Sequence, residues 1–205
     1  QGINEVYELK LICKDGSPLW ALISPKALFD KEGGFTGSLG MFTDITERKQ
    51  EECRINRYNL ILEGINRIFR NVVQAKTEEE LGNTCLSVAL EVTGSQFGFI
   101  NEIGTDGLLH NIAKSELAWE QCLIYDKTTG HQRLPCDFAV HGLYGRVISN
   151  GKGFFTNDPP SHPDSIGLPQ GHPPLKSFLG VPLVQEGKTV GLIAVANREG
   201  GYTCE

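Results

Sequence analysis

The sequence contains 205 residues, a length that accommodates one large or two small domains. It is 40% hydrophobic and 21% charged, as is typical of a globular protein, and its net charge of −6 argues against nucleic acid or an acidic membrane surface as the main partner. No run of the sequence reaches the roughly 18 apolar residues of a membrane helix, and no signal peptide is recognisable. Because the sequence does not begin with Met, we expect a fragment of a longer protein.

The six cysteines have no spacing typical of a metal site, since none forms a C-x-x-C pair or a zinc-finger pattern. Scattered thiols of this kind are typical of a cytoplasmic protein, in which cysteines stay reduced. We therefore predict a cytoplasmic location and no metal site. The cysteines are Cys13, Cys53, Cys85, Cys122, Cys136 and Cys204.

The first 43 residues predict three antiparallel strands. The strands are Val6–Cys13, Leu19–Phe29 and Phe35–Thr43, and glycine-containing turns at 14–17 and 30–34 separate them. Three strands need a cover over one face, and no helix precedes them to supply it.

A long helix is predicted to follow, capped by Thr43 or Asp44. Its apolar positions advance in steps of 3, 4, 3, 4 and 3, which is a heptad seam that favours pairing of two helices in a homodimer. The alternative is a helix packed on the core of its own domain. The seam residues are Ile55, Tyr58, Leu62, Ile65, Phe69 and Val72.

Residues 75–205 predict a second unit of mixed helices and strands. Thr77 and Glu80 form a capping box that begins a helix, and Gly94 ends it. Two hairpin strands follow, then a short helix containing Trp119 and Cys122, a helix over 143–150, a short strand, a long loop rich in Pro and Gly, and two final strands. The predicted fold class is α+β, with antiparallel sheets and flanking helices.

The first unit resembles the C-terminal half of PAS domains. The resemblance rests on Lys14–Ser17 with Trp20 downstream, and on Gly40–Lys49, whose Asp-Ile-Thr-Glu-Arg-Lys end resembles the entry into a signalling helix. It implies that residues 1–46 are half of a PAS domain and that 47–74 are a linker helix. The half in which PAS cofactors usually bind is absent from the sequence, so the sequence does not indicate which ligand a PAS domain here would bind.

The second unit looks like a GAF domain of the subtype common in sensor histidine kinases of bacteria and archaea, methanogens included. The matching segments are His141–Ile148, Phe155–Pro159, Phe178–Pro182 and Ala196–Tyr202. The resemblance implies a GAF domain over 75–205 that lacks the closing helix of the family. It also implies that Gly167–Leu183 form the lid and core strand of a pocket, with residues 171–174 as a rigid wall.

GAF relatives line their pocket with the central sheet and the irregular segment that crosses it. The resemblance therefore implies a site for a flat apolar ligand. Its residues would be Phe99, Asn101, Trp119, Cys122, Tyr144, Phe155, Asn157, Asp158, His172 and Phe178. The alternatives are core packing for the aromatic residues, Asx turns for Asn157 and Asp158, and a hydrogen bond to the loop backbone for His172.

The identity of a cofactor is not predicted, but haem is one alternative, because some archaeal GAF domains bind it. Cys122 would then be the thiol for covalent attachment, and His141 or His172 would be an axial ligand. Asn197, Arg198 and Tyr202 partly match a motif of cyclic-nucleotide GAF domains.

No glycine-rich phosphate loop, nucleophile elbow or kinase motif occurs in the sequence, so we do not expect an enzyme. We predict the sensory module of a signal-transduction histidine kinase. It would bind a small molecule in the GAF pocket and pass the signal through a dimeric linker helix to the kinase domain of the same protein. The alternatives are a haem-based redox or gas sensor and a structural dimerisation and spacer unit without ligand.

Overall fold

The computed structural model describes residues 5–115, 137–168 and 172–203. The chain divides into two compact units, residues 1–60 and 61–205. The boundary falls within a helix, so the predicted linker is shared between the two units.

The first unit contains three antiparallel strands, β1 (Tyr7–Ile12), β2 (Pro18–Phe29) and β3 (Phe35–Asp44), in the order β1-β2-β3. Both connections are the predicted glycine turns. At the first, Gly16 has φ +84°, and the Asp15 carboxylate accepts a hydrogen bond from the Ser17 amide at 2.9 Å. These local bonds explain why the sequence was sufficient to place the turns.

Helix α1 (Thr46–Gln74) follows β3 directly. The Asp44 carboxylate accepts a hydrogen bond from the Thr46 amide at 2.8 Å, which satisfies a free backbone donor of the first helical turn, as predicted for Asp44. The Thr46 hydroxyl accepts another from the Trp20 amide at 2.9 Å. The helix start is therefore bonded to β2.

The second unit is built on a six-stranded sheet in which every described pairing is antiparallel and the order is β6-β5-β4-β9-β8-β7. Its elements in chain order are α2 (Glu78–Thr93), β4 (Phe97–Ile103), β5 (Leu109–Lys114), β6 (Asp137–Phe138), α3 (Gly142–Asn150), β7 (Phe154–Thr156), β8 (Phe178–Gln185) and β9 (Lys188–Ala196). The predicted α+β class is confirmed. The short strand β6 was not predicted, because its two residues pair only through contacts distant in the sequence.

Two helices cover the two faces of this sheet. On the α2 face, Leu86 of the helix packs with Ile100, Ala113 and Val195 of the strands. The α3 face carries the larger cluster. Its buried members are Leu109, Leu143, Val147, Phe178, Leu192 and Ala194.

The ends of α2 are as predicted. The Thr77 hydroxyl accepts a hydrogen bond from the Glu80 amide at 3.2 Å, and Glu80 in turn accepts one from the Lys76 amide at 2.8 Å. Gly94 ends the helix in the left-handed conformation at φ 66°.

Candidate functional site

The α3 face of β4 carries the first two predicted site residues. Asn101 lies opposite Leu192 of β9, and Phe99 lies opposite Ala194; both partners belong to the α3-side cluster. Because side chains alternate along a strand, Phe99 and Asn101 point to the same face. The structure therefore brings these two residues together.

Asn101 is the buried polar group of this face, with 1% of its surface exposed. Its Oδ1 accepts a hydrogen bond from Nδ2 of Asn111 at 3.0 Å, and the same nitrogen lies 3.3 Å from the Ala113 carbonyl. Asn111 is exposed, and it was missed by the sequence reasoning. Its position in the strand predicted to pair with β4 was a signal that the sequence offered. The pairing register, which decides its neighbours, could not be read from the sequence.

Tyr144 of α3 lies across from Phe99, with an edge-to-face ring contact at 6.4 Å between centroids. Its hydroxyl lies 3.2 Å from Nδ1 of His141, the residue that precedes the helix. Burial raises the pKa of the Tyr144 phenol, so the hydroxyl stays protonated and remains a hydrogen-bond donor at neutral pH. His141 makes no side-chain cap on α3. Phe99, Asn101, Asn111, His141 and Tyr144 are called the α3-face site below.

Phe178 lies on the same face but deeper, and it is 4% exposed. Its ring packs against Phe154 at 5.5 Å between centroids, and Phe154 in turn packs against His162 at 5.3 Å. Phe178 is therefore a buried core residue of the α3 face.

Phe155, which was predicted to line the ligand pocket, does not join the α3-face site. Phe155 packs in the α2-side cluster, with its ring 6.3 Å from that of Tyr202, while its neighbour Phe154 faces α3. The sequence FF gives no indication of which ring faces which side. The register between β7 and β8, in which Phe155 pairs with Leu179, decides it.

Asn157 and Asp158 lie at the end of β7 and do not join the α3-face site. The Asn157 amide group forms two hydrogen bonds with the backbone of Tyr202, at 2.9 and 2.8 Å. Asp158 is exposed, and its backbone amide donates to the Thr156 hydroxyl at 3.2 Å. Asn157 therefore connects two distant segments, which is neither the ligand contact nor the Asx turn considered from the sequence.

His172 adopts the alternative that the sequence analysis gave for it, a hydrogen bond to the loop backbone. Its Nδ1 lies 2.7 Å from the carbonyl oxygen of Pro173, and since a carbonyl only accepts, Nδ1 carries the proton. The ring is thereby held against its own loop. Trp119, Cys122 and Gly171 lie outside the described residues, so the placement of those predictions stays untested.

Asn197, which partly matched the cyclic-nucleotide motif, has a structural role here. Its Oδ1 accepts from the Lys176 amide at 2.8 Å, and its Nδ2 donates to the Pro174 carbonyl at 2.8 Å. Its side chain is committed to the end of the loop between β7 and β8.

On the outer side of α3 lies a cleft of about 590 Å³. It is lined by the helix residues Gly142, Arg146 and Ser149 and by loop residues that include Asp164. Arg146 and Asp164 form an ion pair across it at 2.7 Å, and Arg146 also lies over the Phe154 ring at 5.1 Å. In the part of the chain that the structure describes, no group of three or more His, Cys, Asp or Glu side chains is placed to hold a metal ion.

The predicted seam residues of α1 are all exposed, from 42% for Ile65 to 67% for Phe69. A different face of the same helix packs against α2, where Gly64 is buried and a Cβ at that position would lie 2.6 Å from Cγ1 of Val88. An ion pair between Arg67 and Glu91 at 2.7 Å supports this contact. Since successive residues of a helix are about 100° apart, the seam lies roughly a third of a turn around α1 from the face that packs against α2.

The comparison with protein families identifies the second unit. Residues 75–205 match the family model described as GAF domain. The chain belongs to the GAF domain family. The match confirms that this unit is a GAF domain, whereas the histidine-kinase subtype and the PAS resemblance of residues 1–46 stay predictions.

Among curated proteins, sporulation kinase C of Bacillus subtilis (strain 168) is 30% identical over 96 residues. The alignment spans 45% of this chain and 22% of that kinase. The chain thus matches only a minor part of the relative.

Solved structures share the GAF fold. The GAF domain of a phosphoenolpyruvate-protein phosphotransferase from Coxiella burnetii has a TM-score of 0.53 at 18% identity, covering 67% of this chain and 77% of that one. A free methionine-R-sulfoxide reductase from Neisseria meningitidis, in complex with its substrate, has a TM-score of 0.50 at 16% identity, covering 67% and 73%. At these identities the likeness shows the fold alone.

Within the described ranges, no helix is long and apolar enough to cross a membrane.

Proposed function

We propose that this chain is the sensory part of a signal-transduction histidine kinase and that its GAF domain binds a small molecule at the α3-face site. The observation that carries the proposal is the buried amide of Asn101 on a face bordered by the aromatic rings of Phe99 and Tyr144. An apolar surface with a few convergent polar groups is the usual composition of a small-molecule site. The likeness to sporulation kinase C supports the assignment to a kinase.

The chemistry of the site favours a flat, largely apolar ligand with a polar edge. Rings of Phe99 and Tyr144 offer aromatic surface, and the Asn101–Asn111 pair offers both amide donors and acceptors. The Tyr144 phenol, which burial keeps protonated, adds a donor. The Tyr144 hydroxyl lies beside the His141 imidazole, but burial raises the pKa of this phenol and so disfavours its nucleophilic phenolate form; we therefore expect ligand recognition and no catalysis.

The test is a thermal-shift screen of the purified chain against a panel of metabolites. For a ligand that raises the melting temperature, Tyr144→Phe should reduce the shift, because the phenol donor is lost. The matched control is Tyr7→Phe, which removes an exposed phenol of the first unit and should leave the ligand-induced shift intact. An equal loss of the ligand-induced shift in both variants would contradict binding at the α3-face site. Absorption in the Soret region of the protein as purified would instead identify the haem alternative.

The second part of the proposal is that α1 pairs with α1 of a second copy along the seam. Six apolar side chains, all at least 42% exposed, follow the heptad repeat that two supercoiled helices require. The face of α1 that packs within the protomer uses other positions, notably Gly64, so the seam remains accessible. A second copy presents the same repeat and is therefore the matching occupant.

Light scattering at micromolar concentration tests this pairing. We expect a dimer, and Ile65→Glu should convert it to a monomer because it places a charge in the seam. Asn56→Glu adds the same charge at an exposed position on the outer side of the heptad repeat and should leave the dimer intact. A wild-type monomer would contradict the seam. A dimer that binds no ligand would instead favour the structural spacer.

In this proposal the ligand biases the packing of α1, and the kinase domain of the same protein receives the signal.

A cytoplasmic location fits the described thiols, because Cys13 and Cys53 are exposed and free. Reducing conditions would preserve them in that state.

A further inference from the structure

The segment after β9, residues 197–203, is bonded to both ends of the loop that joins β7 to β8. At the start of this loop, the Asn157 amide group donates to the Tyr202 carbonyl at 2.9 Å and accepts from the Tyr202 amide at 2.8 Å. At its end, Asn197 accepts from the Lys176 amide and donates to the Pro174 carbonyl, each at 2.8 Å. Asn157 and Asn197 thus bond the two ends of the β7–β8 loop to the segment after β9.

The backbone of this segment is shaped for these bonds. Asn197 has φ +59°, a left-handed conformation that asparagine tolerates better than most residues. Gly201 has φ +78°, and a Cβ there would lie 2.7 Å from Cγ of Asn157. A side chain at 201 would therefore push Asn157 away from Tyr202.

The middle of the same loop contacts α3. Asp164 forms the ion pair with Arg146, and Ile166 lies where a Cβ on Gly142 would meet it at 3.2 Å. The loop therefore touches the helix that carries Tyr144 of the α3-face site.

Tyr202 extends from the segment to the opposite face of the sheet. Its side chain is 4% exposed in the α2-side cluster, and its hydroxyl lies 2.7 Å from the Ser95 hydroxyl. Ser95 lies 2.7 Å from the Thr93 hydroxyl, and Thr93 donates to the Ala89 carbonyl at 2.6 Å within α2. A continuous series of hydrogen bonds therefore joins the β7–β8 loop to the C-terminal end of α2.

We propose that Asn157, Asn197 and Tyr202 are positioning residues that couple the β7–β8 loop on the α3 face to the end of α2 on the other face. The physical basis is that opening a bond to Asn197 or Tyr202, which are both buried, leaves a buried polar group unsatisfied, so the loop and the end of α2 open together. The inference deepens the proposed function, because it supplies the route by which binding at the α3-face site would reach α2, and it rests on that function for the origin of the signal.

Hydrogen exchange measured by mass spectrometry on the ligand-free chain tests the coupling. Asn157→Ala should speed exchange roughly threefold to tenfold near Tyr202, and also in peptides covering residues 90–97, to which Asn157 has no direct bond. Asn83→Ala, at an exposed asparagine of α2, is the matched control and should leave both regions unchanged. In a Tyr202→Phe background, Asn157→Ala should no longer affect residues 90–97, because the phenol that connects them is gone.

Faster exchange confined to the segment after β9, with residues 90–97 unchanged, would overturn the proposal. Ser95→Ala removes the same hydroxyl contact from the other side, so it replaces Tyr202→Phe should that variant fold poorly. Since no ligand is used, failure of this coupling is distinguishable from failure of the proposed function, which the thermal-shift screen detects separately.

Discussion

The two sheets of this chain are built from similar antiparallel strands but are buried very differently. In the first unit every residue of β1 is exposed, and burial is confined to a few residues such as Ala21, Ile23 and Ile45. In the second unit β9 ends in three consecutive buried residues, because α2 and α3 cover both faces. Strand pairing alone therefore does not make a core. A core requires a layer packed over the sheet, and among its described residues the first sheet has no such layer.

The largest expected contrast between the sheets comes from truncating leucines. Leu192→Ala in β9, where the side chain is fully buried, should lower the free energy of unfolding by about 2–5 kcal/mol, because it leaves a cavity. Leu39→Ala in β3, where 60% of the side chain is exposed, should change it by less than about 0.5 kcal/mol. Urea unfolding followed by circular dichroism measures both. Equal losses would mean that the first sheet is covered after all.

A second contrast comes from adding a methyl group to a strand glycine. At Gly191 a new Cβ would overlap the backbone carbonyl of Asn101, so Gly191→Ala should cost about 1–3 kcal/mol. At Gly37 of β3 no atom lies within 4 Å of the new Cβ, so Gly37→Ala should be neutral or slightly stabilising. Melting temperatures of the two variants make the comparison, and a destabilising Gly37→Ala would show an unexpected neighbour.

Helix α1 contributes to both units, and Gly64 fixes its contact with α2 in the second. Gly64→Ala should destabilise that contact by roughly 1–2 kcal/mol, because Cβ would lie 2.6 Å from Cγ1 of Val88, and Val88→Ala should restore part of the loss in the double variant. Thermal unfolding of the two single variants and the double variant gives the coupling. Strictly additive effects would place the helices farther apart.

The smallest expected effects concern surface charge. In the first unit, hydrogen bonds and ion pairs from Lys49 and then Arg48 lower the pKa of Glu8; in the second, His110 lowers that of Asp106. A lowered carboxyl pKa contributes stability that is present above the unfolded value, about 4.3 for Glu, and is lost as the pH falls through the folded value. Glu8→Gln and Asp106→Asn should each flatten the acid limb of stability against pH slightly.

High salt should shrink both effects further, since the two carboxylates are at the surface. A steep acid limb that both variants leave unchanged would assign the acid sensitivity to other carboxylates.

Much of the fold followed from short-range signals. The turn at Gly16, the cap at Thr77 and the end of α2 at Gly94 all lie where the sequence placed them. Of the predicted site residues, Phe99 and Tyr144 meet on one face, whereas Phe155 lies on the other and Asn157 bonds to Tyr202; that they bind a ligand stays a prediction. No local pattern distinguishes Phe154 from Phe155, because two adjacent rings exchange faces with a one-residue shift of register.

By itself, the sequence determined most strands, the turns and the helix caps of this protein. These depend on backbone conformations and side-chain bonds that act within a few residues. The tertiary structure decided which side chains share a face and which bonds connect distant segments, such as that between Asn157 and Tyr202, 45 residues apart. Register and the arrival of α2 and α3 on opposite faces set those neighbours, and neither is encoded in a local window.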